Sequence, residues 1–289
     1  MAIMDGLSVS KEILLSIQKE VNKLASSHVH PKLAVILVGN DPASLSYISQ
    51  KQKACVLTGI EWEQFDYPEN ITTEKLIEKI NELNGNPLIH GILVQFPLPP
   101  HIKAPLVIKA INPQKDVDGF TAYNLGKMFI SHEFEHLVPC TPMGVIRLLQ
   151  YYKVPIEGQE VVIVGHSNIV GKPLSIMFLN RNATVTTCHV FTKDLSSHTK
   201  RADILCVAVG KPNLITADMV KDGATVIDIG INRLKGKKIV GDTDFPNVSK
   251  KVKYITPVPG GVGPMTVACL MENTVKAAKR LNTPPQAGL

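Results

Sequence analysis

The sequence predicts an α/β protein of two three-layer lobes, each a mainly parallel sheet with helices on its faces, the second a Rossmann-like dinucleotide-binding domain. Three observations predict it. Short apolar runs recur along the chain, and the stretches between them carry apolar residues at helical spacing. The run Val161 to Val164 passes directly into a glycine turn and a helix, the rhythm of a doubly wound sheet. Between Asp118 and Pro142 no strand is evident, which sets the break between the lobes there.

In the first lobe, Ser8 to Leu24 spaces its apolar residues as a helix, and Leu33-Ala-Val-Ile-Leu-Val38 reads as a strand closed by Gly39-Asn-Asp-Pro42. Ala43 to Leu57 reads as a helix that Gly59 stops, and Thr73 to Leu83 as another. Leu88 to Val94 is a buried strand running into the proline-rich Gln95-Phe-Pro-Leu-Pro-Pro100. Strand, helix, strand at these intervals means a parallel sheet. The second lobe opens with a helix around Met143 to Tyr152 and the strand Glu160 to Val164. A helix from near Pro173, strands at Ala183–Cys188, Ile204–Val209 and Ala224–Ile229, and a last helix over Val267–Leu281 complete it. The expected domains are residues 1–139, to which a terminal helix over 268–289 returns, and residues 140–267.

Composition narrows the function classes. The chain has 289 residues, 44% of them hydrophobic and 19% charged, which is globular rather than disordered. No apolar run approaches the ~18–20 residues of a membrane span, and the N-terminus lacks signal-peptide character. The five cysteines, Cys55, Cys140, Cys188, Cys206 and Cys269, are scattered and odd in number. That pattern predicts a reducing cytoplasm, no disulfide framework and no metal site. The formal charge is +6 and the pI about 9.0. A solvated surface with excess lysine is the plain reading, and steering of an anionic small molecule is the functional one. Nucleic acid is disfavoured. Lys235-Gly-Lys-Lys238, in an expected hairpin, and Lys250-Lys-Val-Lys253, ahead of a strand, are short clusters, and Trp62 is a lone tryptophan.

The turn after Val164 reads Gly165-His-Ser-Asn-Ile-Val-Gly171-Lys-Pro173. A P-loop needs four residues between its glycines and a hydroxyl after the lysine; here five intervene and a proline follows, so nucleotide hydrolysis is disfavoured. Taken alone the glycines are ordinary turn chemistry. The strand before them and the helix after them favour a pyrophosphate at the helix start. NAD-selective sheets place an acid at the end of the next strand. Here that end is Cys188-His-Val-Phe-Thr192, with no carboxylate before Asp194, which leans to NADP. His166, His189, Arg181 and Lys193 are the candidate positive partners for a 2′-phosphate.

Tyr47 and Lys51, four apart on one helix face, offer a flat ring and an amine. On spacing alone they are an ordinary surface pair. In an apolar cleft, where burial disfavours the charged form, such a lysine becomes a proton carrier. The Tyr-x-x-x-Lys spacing of short-chain dehydrogenases is matched, but there the pair follows the dinucleotide glycines and here it precedes them. Gln95 ends a strand at the edge where open sheets bind ligands. Asp116 and Asp118 stand before Gly119, either as an Asp-Gly turn or as a carboxylate that accepts two hydrogen bonds from an amino-substituted heterocycle. Thr256-Pro-Val-Pro-Gly-Gly-Val-Gly-Pro-Met-Thr266 has the backbone of a loop that approaches something closely.

Together these segments resemble the bifunctional methylenetetrahydrofolate dehydrogenase/methenyltetrahydrofolate cyclohydrolase family, of the compact bacterial type, from about Leu7 to about Leu281. Tyr47-Ile-Ser-Gln-Lys51, Val94-Gln-Phe-Pro-Leu-Pro99, Lys115-Asp-Val-Asp-Gly119, Pro257 to Thr266, the Gly165 turn and Gly230-Ile-Asn232 carry it, in this order and at these intervals. The resemblance implies oxidation of 5,10-methylene-tetrahydrofolate with NADP⁺, then hydrolysis of the methenyl product to 10-formyl-tetrahydrofolate, in a cleft between the lobes of a homodimeric enzyme. By the family pattern Lys51 handles the proton of the second step, Gln95 hydrogen-bonds Lys51 and Tyr47 stacks on the folate. Asp118 anchors the pterin, and Pro259, Gly260 and Gly261 line the folate site. Gly165, His166, Ser167, Ile169 and Val170 meet the dinucleotide, joined by Thr141 and Ile231. The resemblance implies tetrahydrofolate derivatives as partners, polyglutamylated forms among the candidates. Two positions depart from the common pattern: His166 stands where many members have arginine, and Val190 where several have a polar or basic residue. Asp242-Thr-Asp-Phe245 also differs modestly. The rival readings are a non-catalytic folate or nucleotide sensor, which predicts a broken Lys51, Gln95 or Asp118, and a monofunctional dehydrogenase, which predicts a lost Lys51. All three residues are present.

Overall fold

A computed structural model describes residues 2–234 and 238–283. In chain order these form β1 (Ala2–Ile3), α1 (Gly6–Ala25), β2 (Lys32–Val38), α2 (Pro42–Thr58), β3 (Glu61–Tyr67), α3 (Thr73–Gly85) and β4 (Gly91–Val94). There follow α4 (Ala104–Ala110), α5 (Ala122–Ile130), α6 (Cys140–Tyr151), β5 (Glu160–Val164), α7 (Gly171–Leu179), β6 (Thr184–Cys188), α8 (Leu195–Thr199) and β7 (Ile204–Val207). The chain ends through β8 (Thr225–Asp228), β9 (Asn232–Arg233), β10 (Ile239–Val240), α9 (Phe245–Val248), β11 (Tyr254–Ile255) and α10 (Val262–Asn282). The fold is α/β with parallel sheets, as the sequence predicts.

Two compact units emerge, Met1–Lys11 with Thr141–Thr266, and Glu12–Cys140 with Val267–Leu289. The first holds a six-stranded sheet in the order β1-β11-β8-β7-β5-β6, parallel throughout. The stretch up to Lys11, which the sequence division places in 1–139, groups with this sheet. Ala2 and Ile3 pair there with Tyr254 and Ile255. Val162, Val164, Leu205, Val207, Val226 and Ile255 build its core, all β-branched or leucine and all buried. β9 and β10 form a separate antiparallel pair. The expected hairpin at Lys235-Gly-Lys-Lys238 falls here, and Lys235, Gly236 and Lys237 lie outside the described residues, as does the 284–289 end of the expected terminal helix.

The second unit holds the parallel sheet β3-β2-β4. Ile36, Val38, Ile92 and Val94 pack against Leu76, Ile80 and Leu83 of α3 and Val107 of α4. β3 has no counterpart in the sequence reading: it is the sheet edge, its side chains are half-buried at most, and no apolar run marks it. α4 and α5 are likewise new. β7 stops at Val207, two residues short of expectation, because the Val209 amide turns away to a side chain. α10 starts at Val262, five residues early, its Pro264 tolerated in a first turn that needs no amide there. In each sheet the connections reverse direction beside the first strand, between β2 and β4 and between β5 and β7. Ligands of open parallel sheets bind at the carboxyl ends of such strands.

Candidate active site

α2 is fixed at both ends. Asp41 caps it by accepting the Ser44 amide at 2.7 Å, Pro42 begins it, and Gly59 ends it in the left-handed region. One turn apart on this helix sit the half-buried Tyr47 and the buried Lys51. Lys51 Nζ donates to Gln95 Oε1 at 2.8 Å, and each residue is only 8% exposed. Gln95 is itself held at the end of β4: its amide donates to Ile36 O at 2.9 Å and its Nε2 to Phe96 O at 2.6 Å. The side-chain oxygen is left for the lysine.

The two carboxylates of Lys115-Asp-Val-Asp-Gly119 divide their work. Asp116 accepts from the amides of Gly119, Phe120 and Thr121 at 3.0, 3.2 and 2.8 Å and from Asn124 Nδ2 at 2.9 Å. It builds the turn. Lys115 Nζ donates to three carbonyls, Leu83, Asn84 and Asn86, at the end of α3. Asp118 makes no hydrogen bond among the described residues. Burial pushes its carboxyl up to about 6, the nearby Lys51 pulling it back and Asp116 adding to the rise. It is an acceptor that the turn itself does not use.

Pro259, Gly260 and Gly261 lie in a loop pinned from outside. Gly260 O accepts the Leu7 amide at 3.0 Å, and Thr266 Oγ1 meets Thr141 Oγ1 at 3.0 Å. Pro259 is exposed, Gly260 half-buried and Gly261 buried, so the loop presents its proline end.

At the β5–β7 reversal, Gly165 has φ +124°, and a Cβ there would run into the Ala208 carbonyl. A Cβ on Gly171 would run into the carbonyl of Gly165. These two glycines close a cradle that any side chain would fill. Ser167 Oγ accepts the Val170 amide at 3.1 Å and so starts α7, while His166, Ser167, Asn168 and Ile169 stay exposed over it. The cradle and the open helix start fit a pyrophosphate. Ile231 is 43% exposed beside Gly230. Of the candidate cations, the structure brings His166 and His189 together, ring centroids 4.9 Å apart. Lys193 is exposed in the turn after β6. Arg181 is a correction: it sits past the far end of α7, donating to Met177 O at 2.8 Å, ahead of β6 rather than at its carboxyl end. Asp194 is occupied in capping α8 through Ser197.

Sequence reasoning missed the residues that hold these pieces. Asn273 of α10 donates to Val117 O at 2.9 Å and Val138 O at 3.0 Å, gripping the Asp118 segment from over a hundred residues away. Asp228 and Asp242 are buried behind the dinucleotide cradle. An acid at the end of an apolar strand, as Asp228 is, was the available signal. All five cysteines are buried thiols outside any disulfide. Among the described residues no cluster of histidine, cysteine, aspartate or glutamate is placed to hold a metal ion, and no helix is long and apolar enough to cross a membrane.

Comparison with known proteins gives a consistent picture. Residues 4–118 match the tetrahydrofolate dehydrogenase/cyclohydrolase catalytic domain, and residues 139–282 the NAD(P)-binding domain of the same name. The bifunctional protein FolD of Wolinella succinogenes is 55% identical over 99% of this chain and 100% of its own. The structure of the bifunctional FolD of Campylobacter jejuni is 50% identical, with a TM-score of 0.94 over 97% of this chain and 99% of that one. The Trypanosoma brucei dehydrogenase-cyclohydrolase, complexed with NADP and an inhibitor, is 36% identical, with a TM-score of 0.93 over 96% and 97%.

Proposed function

The chain belongs to the tetrahydrofolate dehydrogenase/cyclohydrolase family, and from that premise we propose which residues carry its two reactions. It oxidises 5,10-methylene-tetrahydrofolate to the 5,10-methenyl form with NADP⁺ and hydrolyses that product to 10-formyl-tetrahydrofolate. The dinucleotide, when bound, accepts the hydride that leaves the one-carbon bridge.

Gly165, Ser167 and Val170 receive the pyrophosphate through the cradle and the open start of α7. His166 and Ile169 flank it, with Thr141 and Ile231 as further contacts. Asp118, free of internal partners, takes the amino-substituted edge of the pterin, and Tyr47 stacks on the ring. Pro259, Gly260 and Gly261 give the folate a backbone wall. The methenyl carbon is already electrophilic, so hydration needs a water held beside it and a group that moves a proton from that water towards the departing ring nitrogen. Lys51 has that role and Gln95 aims it. The observation that carries this reading is the buried Lys51–Gln95 hydrogen bond beside an unpartnered Asp118.

Folate chemistry is assigned to 1–139 with 268–289, dinucleotide binding to 140–267, and the working enzyme to a cytoplasmic homodimer acting on polyglutamylated folates as well. A spectrophotometric assay that follows methenyl-tetrahydrofolate as NADP⁺ is added tests the function. It should form and then decay; formation without enzyme-dependent decay would leave only a dehydrogenase. Comparing kcat/KM for NADP⁺ and NAD⁺ tests the cofactor, with NADP⁺ expected to win.

A further inference from the structure

Behind the dinucleotide cradle lie two carboxylates that the reactions do not use. Asp242 is 0% exposed and Asp228 2%. Asp242 Oδ2 accepts the amides of Val209 and Gly210 at 2.7 and 3.0 Å, and its Oδ1 accepts Asn232 Nδ2 at 2.8 Å. Asp228 Oδ1 accepts the amides of Gly230 and Asp242 at 3.1 and 2.9 Å, and its Oδ2 accepts Thr243 N and Oγ1 at 2.8 and 2.6 Å. The packing is reciprocal. A Cβ on Gly230 would strike the Asp242 carboxylate, and one on Gly241 would strike that of Asp228.

The pair therefore joins three segments at the carboxyl edge of the sheet: the loop after β7, the Gly230–Asn232 stretch after β8, and Asp242–Thr243. Through Thr256 Oγ1, which accepts the Asp228 amide at 2.8 Å, it also reaches the start of the Pro257–Gly261 loop. The loop after β7 is the wall of the cradle, since Gly165 is packed directly on Ala208. A carboxylate that takes two main-chain amides fixes that wall and also withholds those amides from any incoming phosphate.

We propose that Asp242, seconded by Asp228, is the positioning residue of the dinucleotide site: it sets the β7 wall against the glycine turn so that phosphate meets the start of α7. The proposal rests on the NADP reading above. In Asp242→Asn one oxygen becomes a donor facing donors, and Asn232 cannot turn to help, because its Nδ2 also donates to Gly241 O at 3.2 Å.

Equilibrium titration of NADP⁺ onto the wild type and Asp242→Asn, read with both activities, is the test. Affinity should fall about tenfold and the KM for NADP⁺ rise with it. Hydrolysis of methenyl-tetrahydrofolate supplied directly, without dinucleotide, should stay within about twofold, since Lys51, Gln95 and Asp118 belong to the other compact unit and the substitution leaves in place the Asp228–Thr256 hydrogen bond at the start of the Pro257–Gly261 loop. Asn232→Ala removes the donor to Asp242 Oδ1 together with its bond to Gly241 O but leaves both Asp242 oxygens as acceptors, Oδ2 still taking Val209 and Gly210. It should shift affinity in the same direction by a smaller factor and serves where Asp242→Asn does not fold. Unchanged NADP⁺ affinity in a folded variant overturns the proposal alone, as does a parallel loss of both activities. A wild type that fails to bind NADP⁺ overturns the cofactor reading, and the proposal with it.

Discussion

Lys51 and Gln95, 44 residues apart in sequence, meet through a 2.8 Å hydrogen bond in which the lysine donates and the amide oxygen accepts. The amide carries no charge, so it orients the amine without locking it into an ion pair. Its other end is spent on Phe96 O, which leaves it one way to face.

Replacing Lys51 separates the two reactions. Lys51→Met removes the proton carrier at similar length and should lower cyclohydrolase turnover at least about 100-fold, the ordinary contribution of a positioned acid–base group. Hydride transfer needs alignment rather than a base, so dehydrogenase activity should persist to within roughly tenfold. Lys51→Arg should also lose hydrolysis, because a guanidinium stays protonated. Assaying both activities of each variant decides it: hydrolysis that survives in Lys51→Met rules out the assigned role.

Asp118 makes a pH prediction of definite sign. Its carboxyl is raised from 3.8 to about 6, so folding disfavours the charged form. Stability from this group is therefore whole below its unfolded value and declines as pH rises through about 6. At ~1.4 kcal/mol per unit the loss is no more than about 3 kcal/mol. Asp118→Asn should melt higher than the wild type at pH 8, with the advantage gone by about pH 4. Folate binding should run the other way. The pterin donates, so it needs the anion, and its KM should climb as pH falls below about 6 and become flat and high in Asp118→Asn. A wild-type KM independent of pH would contradict the anchor.

How much of this was readable from the chain follows from how local each signal is. The central strands of both cores announce themselves because β-branched residues buried on both faces leave an uninterrupted apolar run, as in 161–164. β3 does not, since an edge strand half open to water needs no such run. Spacing singles out Asp116 and Asp118 together but cannot tell them apart. The family resemblance points to Asp118, and the folded turn, with three amides aimed at Asp116, gives the physical reason: one carboxylate is spent on the turn and the other is not. Arg181 looked close to the glycines in sequence, yet a nine-residue helix carried it to the opposite end of the sheet.

Asn273 should report on the Asp118 segment from a distance. Its Nδ2 satisfies two buried carbonyls, Val117 O and Val138 O. Asn273→Leu strands both, at about 1–3 kcal/mol each. The variant should melt several degrees lower and show a raised KM for folate at temperatures where it is still folded. NADP⁺ affinity, measured by titration, should hold, because Asn273 and Val117 share the compact unit that excludes Gly165. A variant of normal stability would show that water replaces the amide without loss.

Gly165 poses a question that a second glycine can answer. Both Gly165, at φ +124°, and Gly158, at φ +72°, hold backbone that L residues avoid. Strain alone would make alanine costly at either, by roughly 1 kcal/mol. They differ in space. A Cβ on Gly158 meets nothing within 4 Å, whereas one on Gly165 meets the Ala208 carbonyl. If the glycine serves only the turn, the two variants should lose similar stability and keep NADP⁺ affinity. If it lets the β5 turn lie against the β7 wall, Gly165→Ala should weaken NADP⁺ binding by about 30-fold or more, while Gly158→Ala leaves it unchanged. Thermal melts read the shared strain and titrations read the difference. Since the cradle is defined by that close approach, the second outcome is the one expected, with direct hydrolysis of methenyl-tetrahydrofolate retained in both.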